Sequence, residues 1–135
     1  MSSLRALALG YLPLILGCAA IFVASSMPGP PIPTPLAFPH SDKLLHACAY
    51  AVLGTLALFG AARRIGAAER RASIEAALVA AIYGASDELH QAFVPGRTSE
   101  LLDLAADSSG GLLGAFVLGP MLWRAWARRR ERQPS

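Results

Sequence analysis

The sequence is poor in charge. Asp, Glu, Lys and Arg make up 16% of its 135 residues, where a soluble domain of ordinary composition carries about a quarter. Hydrophobic residues make up 54%, and mean hydropathy is +0.45. A charge deficit of this size points to lipid rather than water as the solvent. The formal net charge of +3 does not imply nucleic acid as a partner. The basic residues fall between apolar stretches and do not collect on one face of a folded domain. Cysteine is scarce too. Cys18 and Cys48 each lie inside an apolar stretch, so they read as small apolar packing residues, not a disulfide, and say nothing of the redox compartment. There is no Gly-x-Ser-x-Gly elbow, no His-Glu-x-x-His run and no repeat of fixed period. The absences remove the common serine-hydrolase and zinc-protease signatures.

What is present is four apolar stretches, at about 6–27, 44–62, 74–94 and 101–123. Each approaches the ~20 residues that a helix needs to cross a bilayer core. Acids interrupt the last two and weaken their hydropathy. The first stretch also fits a cleaved leader, with Arg5 ahead of it and Ala24-Ser25-Ser26 as the cleavage site, although it is longer than most. The fold class expected is all-α, a four-transmembrane-helix bundle forming a single membrane domain over 1–135. Six prolines between Met27 and Asp42 predict an extended, partly polyproline connection. Pro95-Gly96 predicts a tight turn between the last two helices.

Arg63, Arg64, Arg70 and Arg71 form one basic loop. Arg124, Arg128, Arg129, Arg130 and Arg132 fall in a basic tail over 124–135. The other two connections hold one cation each, Lys43 and Arg97. By the excess of Lys and Arg in cytoplasmic loops, the basic loop, the tail and both termini are expected in the cytoplasm of a multi-pass protein of the inner (cytoplasmic) membrane. Trp123 and Trp126 suit the inner interface, and the tail suits anionic lipid headgroups.

With that orientation, the polar residues gather in the outer half. Lys43, His46 and Tyr50 share a stripe at i, i+3, i+7, with Asp42 just ahead. Asp103 and Asp107 share a face at i, i+4. Asp87 shares a face with His90 and Gln91, while Glu88 points about 100° away. Gly110, Gly111 and Gly114, with Ala80 and Gly84, predict close approach of the last two helices. Charge in lipid costs about 2.5–3.5 kcal/mol per group at the bilayer centre, so these stripes must face one another. Lys43, Arg97 and a protonated His46 are the cations on hand, and a forked pairing of Arg97 with a carboxylate is expected. The acids outnumber the cations. No cofactor is expected from any motif, but a divalent cation held by Asp87, Glu88, Asp103 and Asp107, or by carboxylates with His46, is compatible with the surplus.

Three segments together resemble the VanZ-like membrane proteins. They are Ser41-Asp42-Lys43-Leu44-Leu45-His46 with Tyr50 and Gly54; Tyr83-Gly84-Ala85-Ser86-Asp87-Glu88-Leu89-His90-Gln91 with Phe93-Val94-Pro95-Gly96-Arg97; and Asp103-Leu104-Ala105-Ala106-Asp107 with the glycines at 110 and 111. The resemblance carries over a polar set of Asp42, Lys43, His46, Tyr50, Asp87, Glu88, Gln91, Arg97, Asp103 and Asp107. The family is named for a protein associated with resistance to the glycopeptide teicoplanin, which implies a cell-envelope setting.

Four readings stay open at this point. The outer cluster binds or shields an envelope amphiphile, such as a lipid-linked cell-wall precursor or a lipid-tailed glycopeptide, with Arg97 and Lys43 meeting phosphate. It is a hydrolase or transferase site on such a lipid, with Asp87 and Glu88 as base and acid and His46 as proton carrier. It is an ionic clasp that binds nothing. Or it is part of an ion path, for which the inner halves of the helices lack ionisable residues.

Overall fold

The computed structural model describes residues 3–28, 38–65 and 69–132. The expected polyproline segment at 29–37 lies outside them. All described secondary structure is helical. Helix α1 is Ser3–Ser25, α2 is Ser41–Ile65 and α3 is Glu69–Gln91. Helix α4 (Leu101–Leu113) runs through a π-helical segment, Gly114–Leu118, into α5 (Gly119–Glu131). The result is four helical rods, the last of them 31 residues long.

The boundaries differ from the sequence reading in ways that have causes. Helix α2 runs on through Arg63 and Arg64, and α3 includes Arg70 and Arg71, so most of the expected basic loop is helix. The tail is helical to Glu131; its arginines are good helix formers in the last turn, where cations suit the helix dipole. Helix α3 stops at Gln91, three residues before the expected end. There Arg97 N–H donates to Val94 O at 3.1 Å, and Gly96 has φ +80°. This is a type II turn, with Pro95 at the second position and the glycine at the third, where a positive φ is required.

Helix α2 is the central element and touches every other rod. Its core face is Tyr50, Leu53, Ala57, Leu58 and Ala61, all buried. Backbones approach closely along it. A Cβ on Gly110 would overlap the Ala47 carbonyl, one on Gly114 the Ala51 carbonyl, and one on Gly54 the Gly111 carbonyl. The glycine expectation is therefore corrected in part: Gly110 and Gly114 seat α4 on α2, while Gly111 alone faces Ala80 of α3. Where α5 begins, Pro120 lacks an N–H, and the π segment accommodates this by bonding Gly119 N–H to Gly114 O.

The bundle has two polar ends. At one end Arg63 and Arg130 lie over the Trp126 ring, Trp126 packs on Trp123, and Trp123 packs on the Ala61–Ala62–Ala72 cluster. Arg64 pairs with Glu75, whose other oxygen accepts from Tyr11 at 3.0 Å. Glu75 corrects the expectation that this half lacks ionisable residues. At the other end lie the starts of α2 and α4 and the end of α3. Between the ends the outside is apolar, with Leu12, Ile15, Leu16, Val52, Leu78, Ile82, Leu112 and Leu122 all exposed. The rods Ser41–Arg64 and Leu101–Glu131 are long and apolar enough to cross a membrane; the described apolar part of α1, Gly10–Ser25, is shorter.

Candidate functional site

The end opposite the arginines gathers the ten residues singled out from the sequence. Four carboxylates are buried there: Asp87 is 4% exposed, Glu88 5%, Asp103 6% and Asp107 1%. Each reaches the interior for a local reason. Asp87 and Gln91 are one turn apart on α3, so they share a face, and Glu88 is rotated toward α4. Asp103 and Asp107 are likewise one turn apart and face α2, whose Lys43–His46–Tyr50 stripe meets them.

Lys43 ties the starts of two helices together. Its Nζ lies 2.7 Å from Asp103 Oδ1, 2.7 Å from Glu100 Oε2 and 2.9 Å from Asp42 Oδ2. The bonded Lys43 ammonium holds the exposed Glu100 carboxyl below the usual carboxylate range. Deeper along the stripe, His46 Nδ1 is 2.9 Å from Asp107 Oδ1. One turn further, Tyr50 is 1% exposed and its hydroxyl has no hydrogen-bond partner among the described residues. Gly84 of α3 lets this packing occur: a Cβ there would lie 3.2 Å from the Tyr50 ring and 3.3 Å from Asp107 Cβ.

Asp87 turns to α1 rather than to α4. Ser25 Oγ donates to Asp87 Oδ2 at 2.9 Å, and Gln91 Nε2 donates to the same oxygen at 3.0 Å. Glu88 Oε2 accepts from Ser99 Oγ and from the Glu100 N–H, both at 3.1 Å. It thus satisfies an amide at the start of α4 that no side chain of α4 itself caps. His90 parts from Asp87: it stacks on Phe22 at 4.7 Å and reaches Ser26 Oγ at 3.0 Å.

The expected forked pairing of Arg97 with a carboxylate does not occur. Arg97 Nε donates to Met27 O at 3.0 Å and its Nη2 to Ala24 O at 2.7 Å. The end of α1 leaves carbonyls without helical partners, and a cation is favoured there. Lys43 and Arg97 thus both have partners within the fold.

Between α1, α2 and α3 lies a cleft of about 350 Å³. Ile21, Ala24, Leu45 and Ala49 supply apolar walls; Ser25, Asp42, His46, Tyr50, Asp87 and Arg97 supply polar ones. The cleft thus uses five of the ten expected residues, Asp42, His46, Tyr50, Asp87 and Arg97, while Glu88, Asp103 and Asp107 lie behind His46 and Tyr50 toward α4. Sequence reasoning missed Ser25 and Ser99. Ser25 carries the signal of a small polar residue ending an apolar helix, which reads equally well as a leader cleavage site.

Among known families, the model described as VanZ/LLP1 matches residues 19–124. No curated protein and no solved structure matches the chain.

Proposed function

The chain belongs to the VanZ/LLP1 family, and from that premise we propose that it is a four-pass protein of the cytoplasmic membrane whose outer cleft binds a cell-envelope amphiphile. The cleft carries the reading. It joins apolar walls to acceptor-rich polar ones, next to an outer surface that is itself apolar. An acyl tail would lie along that surface, and a head with hydroxyl or amine donors would meet Asp42 and Asp87. Lipid-linked cell-wall precursors and lipid-tailed glycopeptides such as teicoplanin have this form.

The orientation is supported by the positions of charge. The arginines at 63, 64, 70, 71, 124, 128, 129, 130 and 132 lie toward one end, with Trp123 and Trp126 beside them. Such an end faces the cytoplasm. Both termini then lie inside, and the acidic end lies at outer headgroup depth.

Susceptibility in a teicoplanin-sensitive Gram-positive host tests the reading. Expression of the chain raises tolerance to teicoplanin and leaves vancomycin, which lacks the acyl tail, unchanged. Asp87→Asn at equal membrane abundance abolishes the rise. Equal behaviour of the two drugs, or of the two proteins, would count against it. The His46–Asp107 hydrogen bond favours a second reading, a hydrolase or transferase on the same amphiphile, with His46 as proton carrier oriented by Asp107. Turnover of a lipid-linked precursor by the purified chain, lost in His46→Gln, separates the two.

A further inference from the structure

At the cleft wall and behind it, His46, Glu88 and Asp107 bring one ligand atom each to within 4.8 Å of one another. They come from α2, α3 and α4, so the fold itself and not a local sequence run assembles them. The carboxylates are nearly without solvent, and each keeps an oxygen without a hydrogen-bond partner: Glu88 Oε1 and Asp107 Oδ2. Each is also held by its other oxygen. Glu88 Oε2 is fixed by Ser99 and the Glu100 amide, and Asp107 Oδ1 by His46. For Glu88, whose holders lie outside the set, this is how an outer shell orients a metal ligand; the His46–Asp107 bond lies within the set and shows only that these two groups already meet.

Charge points the same way. Lys43 sits on Asp103, Glu100 and Asp42. Arg97 is spent on the end of α1. Glu88 forms no ion pair among the described residues, and Asp107 meets only His46. Two buried carboxylates facing one imidazole are short of positive charge, and burying such a surplus is costly.

We propose that His46, Glu88 and Asp107 bind one divalent first-row metal ion, of which zinc is the natural probe. One nitrogen and two carboxylate oxygens suit Zn²⁺ or Mn²⁺ better than Ca²⁺ or Mg²⁺, which prefer oxygen alone. Ligand bonds of about 2.0–2.2 Å require the three atoms to sit closer than 4.8 Å, so binding draws them together. Three protein ligands leave a coordination position open. The site stands apart from the amphiphile reading, since none of its evidence depends on what occupies the cleft.

The test uses the purified full chain without a histidine tag, in detergent, stripped by chelator, reloaded with ZnCl₂ and desalted. Elemental analysis should find about one zinc per chain. Co²⁺ in its place should give visible d–d bands of nitrogen–oxygen ligation. Glu88→Gln, which keeps an acceptor for Ser99 and Glu100, and Asp107→Asn should each lower zinc affinity more than tenfold with helicity unchanged. Wild-type protein that retains no zinc overturns the proposal. So does zinc held equally by both variants, which would place the ion at an exposed histidine such as His40. Should Asp107→Asn fail to fold, Glu88→Gln and the wild-type cobalt spectrum still decide.

Discussion

Arg97 and Lys43 carry the same charge and serve different ends. Arg97 donates two charge-assisted hydrogen bonds to carbonyls at and just past the end of α1, Ala24 O and Met27 O, so Arg97→Gln should lower stability by about 1–2 kcal/mol. Thermal melts in detergent, followed by tryptophan fluorescence, measure it. Among the described residues Lys43 is the one cation paired with Asp103, whose side chain is 8% exposed. Lys43→Met leaves that carboxylate without its ion pair and should cost about 2–3 kcal/mol in the same melt. Adding Asp103→Asn should recover part of the loss, because it removes the stranded charge. Most of the polar set was legible from spacing, since an i, i+3, i+7 stripe has only one face to show. The partner of Arg97 was not. Sequence presents carboxylates as the obvious acceptors, and backbone carbonyls at a helix end carry no sequence mark.

The elements are held at distances that glycine sets. Helix α4 lies against α2 with Gly110 and Gly114 over the Ala47 and Ala51 carbonyls. No rotamer moves a backbone carbonyl aside, so Gly110→Val should cost at least about 3 kcal/mol and in most preparations prevent folding. Gly96→Ala meets no steric neighbour closer than 3.8 Å, but its φ of +80° disfavours a side chain, so a loss of about 1 kcal/mol is expected. Comparing the two by yield of folded protein separates helix approach from turn strain. The existence and order of the helices were readable from apolar runs near 20 residues. Their ends were less so. Arginines that mark a loop by topology rules also continue a helix comfortably, and α3 stops early because the turn ahead of Arg97 starts before its apolar run has ended. The π segment follows from a missing N–H at Pro120, a signal present in the sequence but silent until the rod is seen to continue through it.

Seen whole, the molecule is apolar around its middle, basic at one end and acidic inside the other. The proposed orientation makes a direct prediction. With Cys18 and Cys48 replaced by alanine, a cysteine at Thr98 should react with an impermeant maleimide in intact cells. A cysteine at Arg128 should react only after permeabilisation. The reverse pattern would invert the outer cleft to the cytoplasmic side and remove its access to envelope amphiphiles.

Asp87 separates a binding site at the acidic end from a clasp. Ser25 and Gln91 both donate to its Oδ2, so an asparagine with its carbonyl in that place keeps both bonds and loses only the charge. The decisive measurement is teicoplanin binding by the purified chain in nanodiscs, wild type beside Asp87→Asn, with a melt of each. A binding site gives melting temperatures that agree closely and binding that is lost in the variant. A variant that binds as the wild type does, or one whose melting falls sharply, would return the cluster to a structural clasp.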